Sequence, residues 1–189
     1  DWRLQTMNEA EHIYSKIKAI IRQGEGVRIE FKECNTTLNK DIYETVCAFL
    51  NRSGGELLLG VRDDGVIIGI VPECIHQIKN DFSTAINNPQ KISPSFYLSL
   101  DEAVIDGKTI LYIYIPESYQ VHRCNGKIYD RNEDGDFNIT DNHNLVSALY
   151  LRKQISYSEN TIYPYAELVD LRPDVIARVL KIALLQSEN

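Results

Sequence analysis

A chain of 189 residues, 43% of them hydrophobic, is long enough for one domain with its own core. No apolar run approaches the roughly 20 residues a membrane helix needs, and the opening DWRLQTMNEAEH has neither a basic nor an apolar leader region, so a cytoplasmic protein with no membrane partner is expected. The net charge of −7 argues against a surface coated for nucleic acid, although phosphate affinity depends on where the lysines and arginines sit rather than on their total.

In chain order, apolar residues recur from Met7 through Ala10, Ile13, Tyr14, Ile17, Ile20 and Ile21 at the spacing of one helical face, which predicts an N-terminal helix stopping near Gly24. VRIEFK then alternates: Val27, Ile29 and Phe31 take one face of a strand, and Arg28, Glu30 and Lys32 the other. A second helical stripe runs through Ile42, Val46, Phe49 and Leu50. The chain turns at NRSGG into the apolar ELLLGV, and the aspartates that follow predict a hairpin with VIIGI. A third helix is expected over residues 73–86, with Pro72 near its first turn.

Two further hairpins are expected, FYLSLDEAVIDGKTILYIYIP across Asp106-Gly107 and VHRCNGKIYDR across Asn125-Gly126. Helices over residues 141–153 and 173–185 complete the pattern, joined by the polar SYSENTIYPYAE. The fold class is α+β with a largely antiparallel sheet of hairpins flanked by helices. It divides into an N-terminal helix (1–23), a central domain (24–155) and a linker with the start of a following segment (156–189). Cys34, Cys47, Cys74 and Cys124 form no C-x-x-C pair and read as reduced, mostly buried thiols.

EGVRIEFK, AFLNRSGGELLLGVRDDGVIIGI, LYIYIPES and GKIYDRNED, in that order, resemble the successive motifs of the Schlafen AlbA-like domain family over about residues 24–151. The resemblance implies a nucleic-acid-binding domain, of the kind found at the N-terminus of longer bacterial transcriptional regulators and RecG-like helicase-related ATP-binding proteins. It also makes the tail AELVDLRPDVIARVLKIALL similar to the segment that follows this domain in such chains. No G-x-x-x-x-G-K-[ST] is present, and the glycines of SGGELLLG precede a strand, so no cofactor is expected in this stretch. Family members with nuclease activity carry catalytic acids at positions matching Glu25, Glu30 and Asp63, which implies Mg²⁺ or Mn²⁺ as the metal if this chain is a nuclease.

The residues themselves leave that open. Glu30 and Lys32 share a strand face, but Glu25 stands five positions before Glu30, which on a regular strand is the opposite face; only the GEG loop brings it round. Glu30 and Lys32 equally suit a surface ion pair, and Asp63 with Asp64 a simple turn. For binding, Lys127, Tyr129 and Arg131 alternate onto one expected strand face, with His122 and Arg123 on the partner strand and Tyr119 just before it. Arg28 and Lys32 add charge from the first strand. Cations interleaved with aromatic residues suit phosphates and unstacked bases, although a solvated hairpin has the same composition.

In the Schlafen family two such domains of one chain face each other across a positive groove. This sequence has one EFK and one GVRDDG, so the resemblance implies a homodimer. A protein-interaction or dimerisation module is the third functional class that the acidic total and the tyrosine-rich tail admit.

Overall fold

The N-terminal apolar stripe folds as helix α1 (Trp2–Gln23), which ends at Gly24, a residue with φ +78° whose N–H donates to the Ile20 carbonyl. The computed structural model describes residues 2–159. VRIEFK gives strand β1 (Ile29–Lys32), and the loop after it leads into helix α2 (Ile42–Asn51). Every residue of α2 except Glu44 is buried, which makes it the central helix.

The NRSGG turn closes α2. The Gly54 N–H reaches back to the Phe49 carbonyl (2.9 Å) with φ +69°, and a β-carbon at Gly55 would stand 2.3 Å from the Phe49 ring. One glycine supplies the left-handed turn and the next makes room for the helix. Strand β2 (Gly55–Leu59) follows. Beyond it come a single 3-10 turn (Pro72–Cys74), helix α3 (Ile75–Asn87), β3 (Ile92–Ser93), β4 (Asp101–Ile105), β5 (Lys108–Ile115), β6 (Arg123–Cys124), β7 (Tyr129–Asn132), β8 (Gly135–Asn138) and helix α4 (His143–Glu159).

The main sheet has the order β1-β2-β5-β4. β1 and β2 run parallel, with Glu30 opposite Leu57, because α2 carries the chain over the sheet between them; the other pairs are antiparallel. The class is therefore α+β as expected, with one parallel pair added. Ile29, Phe31, Leu58, Ile105, Ile110 and Tyr112 pack with Ile17 and Ile20 of α1 on one face. Leu57, Leu59, Leu111, Ile113 and Ile115 pack with α2 and α3 on the other. Glu30 and Lys32 thus lie on the α2 side of an edge strand.

Three expected hairpins fare differently. Asp106 and Gly107, at φ +51° and +77°, form the two-residue turn joining β4 to β5, but FYLSL before β4 is not strand. ELLLGV and VIIGI meet through a bridge between Val61 and Ile67 and through the Gly60 carbonyl, which accepts from the Ile68 and Gly69 N–H groups (2.9 and 2.8 Å), but they form no strand pair, because β2 is already paired on both edges. At Asn125-Gly126 the turn forms, with φ +49° and +79°, but the strands do not continue together. β6 pairs with β3, and β7 forms its own hairpin with β8. The expected helix over 173–185, the 156–189 linker and the following segment fall largely or wholly on residues 160–189, outside the described residues.

Helix α4 docks through Leu149 against Ile128 and Ile139. Its Lys153, buried, donates to the carbonyls of Leu50 (3.2 Å) and Arg52 (3.3 Å) at the end of α2 and pairs with Glu117 (3.0 Å). A cation there complements the negative end of the helix dipole.

Candidate functional site

The GEG loop does bring Glu25 round. Gly26 and Ile29 exchange backbone hydrogen bonds (3.0 and 3.3 Å), which curls the chain so that Glu25 Oε1 accepts from the Phe31 N–H at 2.8 Å on β1. Partial burial raises the Glu25 carboxyl above its ordinary value, and the charges of Glu30 and Asp63 push it further the same way. Of the three expected acids, Glu25 is the one that the charges of the other two reach.

Within the following turn the two aspartates have separate roles. Asp64 accepts a two-pronged contact from Arg62 (2.9 and 2.5 Å) and a bond from the Val66 N–H, and Arg62 holds its carboxyl below the usual range. Asp64 shapes the turn, while Asp63 is exposed and is the one whose charge Glu25 feels.

Glu30 is committed elsewhere. Lys32 Nζ lies 2.8 Å from its Oε1 and 2.9 Å from Asp41, and Arg131 lies 2.5 Å from its Oε2. Arg131 also pairs with Asp136 (2.5 Å), donates to the carbonyls of Gly26 (3.0 Å) and Val27 (3.1 Å), and stacks on Phe49 at 4.7 Å. Its side chain is 2% exposed. Glu30 and Asp41 raise the Lys32 ammonium well above its ordinary value despite its burial. This latch ties β1 to the β7–β8 hairpin and to the start of α2. Both Glu30 oxygens are taken by cations, and among the described residues no three His, Cys, Asp or Glu side chains come together in a way that holds a metal ion. As arranged, Glu25, Glu30 and Asp63 do not fit a Mg²⁺ or Mn²⁺ centre.

The expected binding residues are not all on one surface. Arg28, Tyr119 and Lys127 are exposed and Arg123 is partly so. His122, Tyr129 and Arg131 are buried, correcting the expectation that they line a solvent-facing hairpin. Arg131 is covered because β7 turns its side chain beneath β1. His122 is held by Ser118 Oγ at Nε2 (2.7 Å) and by the Pro94 carbonyl at Nδ1 (2.7 Å). Its main chain is bound by Asn51, whose amide accepts from the His122 N–H (2.7 Å) and donates to the carbonyls of His122 (2.9 Å) and Tyr129 (2.8 Å).

Asn51 was not singled out from the sequence, where an Asn before SGG signals only a helix end. Lys91 was also missed. The Asn125 N–H donates to its carbonyl (2.9 Å), which sets the Lys91 backbone against the Asn125-Gly126 turn that Arg123 and Lys127 flank. Lys91 lies over the Tyr43 ring (4.7 Å) and Arg123 reaches the Gly126 carbonyl (3.2 Å); among the described residues none of the three has an ion-pair partner.

A family model described as Schlafen, AlbA_2 matches residues 25–140. The N-terminal domain of a RecG-related protein from Nitrosomonas europaea is similar at 25% identity over 53% of this chain and 72% of that one, with a TM-score of 0.40. The DIP2311 protein from Corynebacterium diphtheriae matches at 17% identity over 88% of this chain and 37% of that one, with a TM-score of 0.54, a likeness of fold. No helix among the described residues is long and apolar enough to cross a membrane.

Proposed function

Since this chain belongs to the Schlafen AlbA_2 family, we propose that it is a nucleic-acid-binding domain whose ligand is DNA, serving a cytoplasmic transcriptional regulator or helicase-related protein. The observation that supports it best is the turn at Asn125-Gly126, which Arg123 and Lys127 flank and the Lys91 backbone adjoins, all three without ion-pair partners among the described residues. Unpaired cations around one exposed turn are what a phosphate backbone recognises, whatever the net charge of the chain. The motif order shared with the N-terminal domains of regulators and helicase-related chains supports DNA as the ligand.

Three cations are few for tight binding by an acidic chain. A homodimer, which doubles them along one groove, is part of the same proposal. The nuclease alternative gains nothing from the acidic trio as it is arranged. Changing Lys91, Arg123 and Lys127 together to alanine is expected to weaken DNA binding across all sequences and to flatten its salt dependence by up to about one phosphate equivalent per residue. Unchanged affinity and slope, with an unchanged fold, would place the contact elsewhere.

A further inference from the structure

A second basic feature lies apart from the Asn125-Gly126 turn. A cavity of about 410 Å³ opens between the end of α1, the turn after Arg62 and the β4–β5 turn, at the small end of the about 300–1,000 Å³ range of ligand sites. Its polar rim is Lys18, Arg22, Asp106 and Lys108, and its apolar wall is Ile21, Ile67 and Ile105. Asp106 is engaged by Lys18 at 3.6 Å. Lys108 spends one N–H on the Ile67 carbonyl (2.8 Å) and keeps two. The Arg22 side chain has no hydrogen-bond or ion-pair partner among the described residues.

A cation in the last turn of a helix offsets its dipole, and that accounts for Arg22 on its own, while Lys18, a turn earlier, pairs with Asp106. It does not account for Lys108, which reaches the same cavity from a strand end on another part of the fold. Three cations against one carboxylate leave a positive rim around an apolar wall. The guanidinium fork of Arg22 suits the oxygens of a phosphate, and a flat ring suits the isoleucine wall. The acidic group is close by in the chain: Arg22 is three residues before Glu25, and Gly65, which also lines the cavity, is two after Asp63.

We propose that this cavity seats one nucleotide unit, its phosphate held by Arg22 and Lys108 and its base laid on Ile21 and Ile67, with Ile105 beneath them. The proposal rests on the nucleic-acid reading in taking that unit to belong to a bound strand.

The test uses the full chain. Arg22→Glu with Lys108→Glu is expected to weaken binding of labelled oligothymidylate about tenfold or more at moderate salt while the circular-dichroism spectrum stays that of the folded chain. In the unmutated protein, thymidine 5′-monophosphate is expected to shift the methyl resonances of Ile21, Ile67 and Ile105, and thymidine to leave them in place. That titration decides alone if the double variant does not fold. Unmoved methyls, or an oligonucleotide affinity untouched by the double variant, overturns the site and leaves the proposed function standing. Equal shifts with a glutamate-rich peptide overturn the phosphate assignment. Methyl shifts with the mononucleotide but no oligonucleotide binding support the seat and overturn the strand reading.

Discussion

Arg131 shows how one side chain can be mistaken for another role. Its side chain is 2% exposed and meets two carboxylates, three carbonyls and an aromatic face, so its charge is spent inside the domain. Removing one partner of such a buried pair strands the others, and Arg131→Ala is expected to cost about 3–5 kcal/mol in urea unfolding. Arg131→Lys should recover little, because a single ammonium cannot span Glu30, Asp136 and the Gly26 carbonyl together. An alanine variant with wild-type stability would contradict the latch. The sequence showed Arg131 at an alternating position in YDRN, but alternation does not say which face is covered. The cover comes from Gly26 and Glu30, about a hundred residues earlier. Glu25 failed the spacing rule for a related reason: the rule assumes a regular strand, and Gly24 and Gly26 replace it with a curl.

At the scale of elements, helices and the β4–β5 hairpin were legible because apolar period and Asp-Gly turn chemistry are local signals. The parallel β1–β2 pair and the separate β7–β8 hairpin were not, since pairing partners are chosen by what covers each face. The Asn51–His122 junction, which fixes α2 to the segments entering β6 and β7, is one such choice and has a pH signature. Burial is the main cause lowering the His122 pKa, and Lys153 lowers it further, while the hydrogen bond to Pro94 opposes them. The folded value lies below the ordinary 6.5, so the unfolded chain takes up the proton first. The stability contributed by neutral His122 is therefore present above that ordinary value and is lost as pH falls through the lowered one. Between about pH 7.5 and about pH 5.5, the wild type should lose more unfolding free energy than His122→Gln. Parallel losses would mean that His122 titrates as it does in the unfolded chain.

For the whole molecule, the distribution of charge outweighs its sum. Much of the positive charge on the β1 side is neutralised within the latch, and the cations without an ion-pair partner among the described residues include Lys91, Arg123 and Lys127 around the Asn125-Gly126 turn and Arg22 and Lys108 at the α1 cavity. A pair of domains would offer twice that surface, so sedimentation at micromolar concentration is expected to show a dimer. A strict monomer that still binds tightly would contradict the groove. The most direct measurement is the affinity of the unmutated chain for labelled DNA as salt is raised from about 50 to about 200 mM. With several phosphates neutralised, the binding constant is expected to fall steeply and linearly on logarithmic axes, with a slope steeper than about −2. Binding that is absent at low salt, or that holds constant across the range, would contradict a nucleic-acid-binding domain.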